Sequence, residues 1–366
     1  MTINPQKAYR DFWESLLPAY PISKGSLRLP IATTLLKIPD FNYTEFKKNL
    51  LEILESLLEK EGTQKKACLR AQAAGDHKLV PLIDEEYTGI VRFDCLWNPN
   101  TKSVSILEIN CDYPDGLLLH DKTVSSLSGE TCTRHQNLYN ELFDTNEVVD
   151  ILYSPEAHFI DGYQAEADHL KGRGHGGTFI TDTSRLKPKH TVRRCLETTK
   201  LTDKHTADLV AFSPRLVNSI ALRTLGYKNL LEKINHPYVP TTTNVSLQTI
   251  NFCIENKDTL VLKPADGCEG VGIYFGNSTT DTRWLEYIQA AANKNYVAQK
   301  LVHIPKMNVS LYENDTIVEK RLYYDLCPHF FIKNGQVIGT GHTLMRFSEN
   351  AIVNVSQGGG IGYYNA

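Results

Sequence analysis

Apolar side chains at Phe46, Leu50, Ile53, Leu54 and Leu57 recur at the spacing of one helix face, which predicts a helix with Thr44 as its start signal and Gly62 as its stop. Residues 1–88 as a whole read as a helical N-terminal segment. At Gly89 the period changes to two. Residues 89–97 and 103–110 read as strands joined by the turn formers Asn98-Pro99-Asn100-Thr101-Lys102. Residues 116–145 return to a mixed, helical pattern, so 89–146 forms one hairpin-containing region. A third unit, 147–215, opens with a buried strand at Val148-Val149-Asp150-Ile151-Leu152-Tyr153, continues as a helix over 162–170 and returns as a strand over 176–180. Strand, helix and strand at that spacing predict a small parallel α/β unit. Over 216–366 strands dominate, with candidates at 260–263, 272–275, 296–302, 330–332 and 337–339 and a helix over 283–292. The pattern is α+β overall with one α/β unit, and it carries no internal repeat.

A length of 366 residues is about twice a typical domain and calls for two or three lobes. With 41% hydrophobic and 22% charged residues the chain has ordinary globular composition. A formal net charge of −3 leaves no basic field for nucleic acid or an anionic membrane. The basic run from Lys187 to Arg194 reads as solvated loop and strand edge, and Arg173, His175 and Arg194 read as surface positions. The polar start Met1–Pro5 predicts no signal peptide, and no apolar run reaches the length of a membrane span. The 8 cysteines lie scattered at 68, 95, 111, 132, 195, 253, 268 and 327, with no pair at zinc-finger spacing. They read as reduced thiols, which points to the cytoplasm. The glycine run over 172–177 precedes a strand rather than a helix, so it reads as a flexible loop and not as a dinucleotide fingerprint.

Three stretches carry candidate chemistry. In the first, a strand ends in Lys263-Pro264 and is followed by Asp266-Gly267-Cys268-Glu269-Gly270-Val271-Gly272. Glycines let backbone N–H groups approach phosphate oxygens, and the lysine supplies charge; no Walker sequence is present. In the second, Arg92 and Asp94 share one strand face while Glu108 and Asn110 share a face of the next. A turn centred near residue 100 sets Asp94 roughly opposite Glu108, and two carboxylates with an amide oxygen suit Mg²⁺. In the third, Arg346 can clamp a phosphoryl group, and the segment Asn354-Val355-Ser356-Gln357-Gly358-Gly359-Gly360 can pass close to a ligand.

Together these stretches resemble the ATP-grasp superfamily in its circularly permuted branch, and in particular the glutathionylspermidine synthase family. That family carries an R-x-D strand followed by an E-x-N strand ahead of its nucleotide lysines, here Arg92, Asp94, Glu108 and Asn110. The resemblance implies that Asp94, Glu108 and Asn110 hold Mg²⁺ and that Arg92 and Arg346 act on the phosphoryl group. It implies a first nucleotide lysine at Lys228, with Lys233 nearby as the alternative, and a second at Lys263. Gln299, Lys300, Leu301 and Val302 resemble the hinge strand that reads adenine, and Asn354 belongs to the C-terminal nucleotide motif. The likeness covers roughly 89–120 and 216–366. The chain is shorter than the synthase and has no amidase partner domain, and the residues that hold glutathione and spermidine there have no counterpart here.

The resulting expectation is a Mg-ATP-dependent ligase that joins a small-molecule or peptide carboxylate to an amine through an acyl-phosphate. A kinase acting on a hydroxyl and a non-catalytic nucleotide-binding module are the alternatives. The identity of both substrates and the oligomeric state stay open.

Overall fold

The computed structural model of the chain describes residues 29–365, except 59–60, 115, 155–159, 213–214, 268–269, 314–315 and 354–359. In chain order its strands are β1 (Ile31–Ala32), β2 (Gly89–Asn98), β3 (Ser103–Asn110), β4 (Val149–Tyr153), β5 (Phe179–Ile180), β6 (Thr191–Cys195), β7 (Leu216–Val217), β8 (Thr242–Asn244), β9 (Leu260–Pro264), β10 (Tyr274–Phe275), β11 (Tyr296–Lys300), β12 (Lys306–Glu313), β13 (Thr316–Lys333), β14 (Gln336–Ser348) and β15 (Gly360–Tyr363). They form three sheets. A seven-stranded sheet runs β12-β1-β15-β14-β13-β2-β3, a four-stranded sheet runs β10-β9-β11-β8, and a parallel one runs β5-β4-β6-β7. The mixed α+β expectation with one parallel unit holds, and β7 carries that unit on to Val217. The β2–β3 hairpin joins the large sheet through β13 although more than 200 residues of chain lie between them.

The first described helix, Tyr43–Leu57, buries Phe46, Leu50, Ile53 and Leu54 against the main core, as its periodicity requires. Its cap is two residues earlier than Thr44. Asn42 caps it, accepting a hydrogen bond from the Glu45 backbone N–H at 3.2 Å. Gly62 does not end this helix. With φ at 66° it is the N-cap of the next one, Thr63–Ala73. Two strands are far longer than the sequence suggests. The candidates at 330–332 and 337–339 are the ends of β13 and β14, which run for 18 and 13 residues. Pro328 conceals the first of these, because proline weakens a strand reading; it lies beside a register shift between Pro328 and Phe330.

The basic run needs correction as well. Arg193 and Arg194 are not a solvated edge: they sit on β6, an interior strand, and are fully buried. Arg193 Nε reaches Glu166 Oε2 at 3.1 Å, and its Nη2 donates to the Pro114 carbonyl at 2.9 Å. Arg194 pairs with Asp112, which Arg223 also holds at 3.3 Å. His175 is buried too, with its ring against the Glu147 carbonyl. Burying charge is tolerated where it is paired and hydrogen-bonded, and these pairs tie the α/β unit to the chain following the hairpin. Among the described residues the cysteines are free thiols, and no helix is long and apolar enough to cross a membrane.

Candidate functional site

A cleft of about 400 Å³ opens between the large sheet, the β10-β9-β11-β8 sheet and the α/β unit. Its walls include Arg92, Asp94, Glu108, Asn110, Lys228, Lys263, Asp266, Gly267, Gly270, Gln299, Lys300, Leu301, Val302 and Arg346. Of the residues singled out in the sequence, Gly272 is not on this wall. Its φ of 76° and the Tyr296 hydroxyl, 2.8 Å from where a Cβ would stand, make it a residue of the loop's turn. Asn354 lies outside the described residues, as do Cys268 and Glu269.

Strand pairing builds the charged floor. Asp94 lies opposite Glu108, and Arg92 opposite Asn110, so one face of the hairpin presents all four. Asp94 is enclosed by cations. Arg92 Nε and Nη2 donate to its two oxygens at 2.7 and 3.1 Å, and Arg346 Nη2 donates at 2.7 Å. Burial alone would raise its pKa, but Arg346 and Arg92 together hold it well below the usual carboxylate range. Arg346 also grips Asp325, its cross-strand partner on β13, through Nε at 3.1 Å to each oxygen and through Nη2. For Asp325 burial prevails over that one arginine, and its pKa is raised. Arg346 touches both acids and Arg92 touches Asp94 alone, while the Asp94 charge adds to the rise at Asp325.

The lysines enter from the facing sheet. Lys228 opens the short helix Lys228–Lys233; its Nζ lies 3.0 Å from Glu108 Oε2 and donates to the Gly267 carbonyl at 2.6 Å. Lys233 is exposed and off the cleft wall, so the geometry favours Lys228 over its neighbour. Lys263, on β9, is held by neutral acceptors, Gln299 Oε1 at 2.7 Å and the Leu107 carbonyl at 3.5 Å. Burial pushes its pKa down to about 8, with Lys228 adding to the fall and Glu108 opposing it. The Gln299 side chain is fully buried and also donates to Thr242, so it positions Lys263 from within the sheet. The backbone N–H groups of Lys300 and Leu301 are taken up by Thr241 and Thr259 carbonyls.

Sequence reasoning missed Asp325. The available signal was a lone acid in the apolar stretch Leu322-Tyr323-Tyr324-Asp325-Leu326-Cys327, where a carboxylate demands a partner. It also missed Glu197 and Arg223, which line the cleft. Chemically, the wall offers hard oxygen donors from Asp94, Glu108 and Asn110, a set suited to Mg²⁺, facing four cationic side chains suited to phosphate.

No family model matches the chain, and no curated protein sequence matches it. Among solved structures, it is similar to a glutathione synthetase-like effector from Globodera pallida in its apo form, 13% identical, with 99% of this chain and 98% of that chain covered and a TM-score of 0.61. D-alanyl-alanine synthetase A from Vibrio cholerae aligns over 60% of this chain and 89% of its own, at 12% identity and a TM-score of 0.34. D-cycloserine synthetase DcsG aligns over 50% and 68%, at 17% identity and a TM-score of 0.32. Over nearly its whole length the chain shares the fold of that glutathione synthetase-like effector.

Proposed function

We propose that the chain is a Mg-ATP-dependent ligase that joins a carboxylate to an amine, acting on small-molecule or peptide substrates. The observation that carries this reading is the convergence of Lys228, Lys263, Arg92 and Arg346 with Asp94, Glu108 and Asn110 on one cleft. The hairpin precedes the lysines along the chain, the order expected of the circularly permuted branch.

Lys228, Lys263 and the 266–272 loop bind the nucleotide phosphates. Asp94, Glu108 and Asn110 would hold Mg²⁺, which neutralises charge on phosphate oxygens when bound. The arginines and Lys228 rest on carboxylates, so a nucleotide's phosphates would compete for these cations and leave Asp94 and Glu108 free to hold the metal. A substrate carboxylate oxygen then attacks the γ-phosphorus as the bond to ADP breaks. The amine nitrogen of the second substrate attacks the acyl carbon, phosphate leaves, and the nitrogen gives up a proton. Arg346 and Arg92 stabilise the phosphoryl oxygens through charge-assisted hydrogen bonds.

The test is ADP release with a panel of carboxylates and amines, using substrate carboxylate labelled with heavy oxygen. Transfer of that label into phosphate, with turnover abolished in Asp94→Asn and Glu108→Gln, supports the ligase. Label retained in the acid while a hydroxyl is phosphorylated identifies a kinase. Nucleotide binding without turnover identifies a non-catalytic module.

A further inference from the structure

Beside the cleft, three histidines from separate elements meet. His120 lies on the helix Leu117–Ser128, His135 on the helix Arg134–Glu141 and His329 on β13. All three are buried, at 6%, 0% and 1% exposure. Their ring centroids lie 4.8, 5.1 and 5.4 Å apart, and one ring nitrogen from each falls within 4.8 Å of the others. Burial above all keeps the imidazoles uncharged, the form in which histidine ligates metals. Two buried nitrogens, His120 Nδ1 and His135 Nε2, have no hydrogen-bond partner. His329 directs Nδ1 at the His342 carbonyl, 3.4 Å away, which leaves its Nε2 lone pair available. Buried polar atoms without partners are rare, and converging imidazole nitrogens have no use for one another without a cation or a shared donor.

We propose that His120, His135 and His329 form a binding site for a divalent transition-metal ion, Zn²⁺ by its coordination preference. Three imidazoles with one open position form a zinc site able to take a further ligand. His120 and His329 border the cleft, so the open position faces it and takes water or an anionic oxygen of a ligand lying there. Zinc holds nitrogen at about 2.1 Å, so tetrahedral ligand atoms lie about 3.4 Å apart and the rings close by roughly 1 Å on binding. Asp121 supplies the outer support. It accepts the backbone N–H groups of His135 and Gln136 at 3.0 and 2.8 Å, and Oδ1 lies 3.8 Å from His135 Nδ1, which here accepts the His342 backbone N–H at 3.3 Å; ligation through Nε2 moves the ring proton to Nδ1, on the Asp121 side. Gly341 makes the packing possible, because a Cβ there would stand 2.3 Å from His135 Nε2. The site is chemically distinct from the Asp94–Glu108–Asn110 set: imidazole selects zinc, and carboxylate and amide oxygens select magnesium. It shares no ligand with the neighbouring Asp121–Cys132–His342 group.

The test uses the full chain, stripped with a chelator and held in excess Mg²⁺, titrated with Zn²⁺ by calorimetry and with Co²⁺ by visible absorption. The expected result is one equivalent of Zn²⁺ and an intense tetrahedral Co²⁺ spectrum that Zn²⁺ displaces. His120→Asn and His135→Asn lose binding, Asp121→Asn weakens it by about 10–100-fold, and Cys132→Ser leaves it unchanged. Folding of each variant is checked by circular dichroism, and the wild-type cobalt spectrum stands whether or not a variant folds. Absence of stoichiometric binding, a weak octahedral cobalt spectrum, or binding lost in Cys132→Ser but kept in His135→Asn overturns the proposal. None of these readouts involves nucleotide, so the result is independent of the ligase reading.

Discussion

Arg346→Met isolates the most heavily charged contact in the cleft. Arg346 is 12% exposed and bridges Asp94 and Asp325, which are 2% and 1% exposed. Removing it leaves Asp94 with Arg92 but strips Asp325 of the cation that grips it directly. An uncompensated buried charge costs about 3–5 kcal/mol when one partner of a pair is deleted. At a urea dependence of about 3 kcal/mol per molar, that lowers the unfolding midpoint by about 1–1.7 M. Replacing Asp325 as well, in Asp325→Asn with Arg346→Met, removes the stranded charge and restores most of the loss. The pair is therefore read as a double-mutant cycle, with tryptophan fluorescence in urea at pH 7 as the assay. A midpoint shift below about 0.3 M in Arg346→Met, or no recovery in the double variant, would show that the Asp325 charge is not held by this arginine.

Nucleotide chemistry and stability give further tests. Arg346→Ala slows ADP release roughly a hundredfold or more in the ligase assay, the typical effect of losing one transition-state donor. Lys263 has its pKa pushed down to about 8, so the protective shift from a non-hydrolysable ATP analogue in thermal unfolding shrinks as pH rises through about 8; Lys263→Arg, always charged, shows no such decline across that range. Burial raises Asp84 to about 6, while the Ala221 N–H at 3.2 Å opposes the rise. A raised folded pKa gives stability that is present below the unfolded value of about 4 and lost as pH climbs through 6, so Asp84→Asn raises the midpoint at pH 7.5 and not at pH 4. Gly177→Ala places a Cβ 1.6 Å from the Val149 carbonyl oxygen and costs about 1–3 kcal/mol or more, visible as faster hydrogen exchange across β4 and β6.

What could be read in the sequence was local. Strand period and turn formers made the hairpin legible and set Asp94 roughly opposite Glu108, but the pairing itself needs a register shift between Asp94 and Cys95, without which the turn-side register would set Asp94 against Leu107. The helix at Tyr43–Leu57 declared its buried face through spacing. What could not be read depended on partners distant in sequence. Arg193 and Arg194 looked like a solvated edge because Glu166 and Asp112, which neutralise them, lie elsewhere in the chain. Asp325 was hidden inside a strand that Pro328 appeared to interrupt. The histidine cluster joins positions 120, 135 and 329, and no spacing rule links residues whose proximity is made by sheet pairing and helix docking.

The interior place of β15 also sets a schedule for assembly during synthesis. It pairs with β14 on one side and β1 on the other, while β12 also pairs with β13, so the large sheet cannot close on itself until residues 360–363 have left the ribosome. The parallel unit of β4 to β7 can dock its strands as soon as Val217 emerges. The sheet bearing Arg92 and Arg346 must wait, with an open edge on β14 available to other nascent chains in the interval. Chaperone demand should therefore peak just before residues 360–363 emerge and β15 closes the gap.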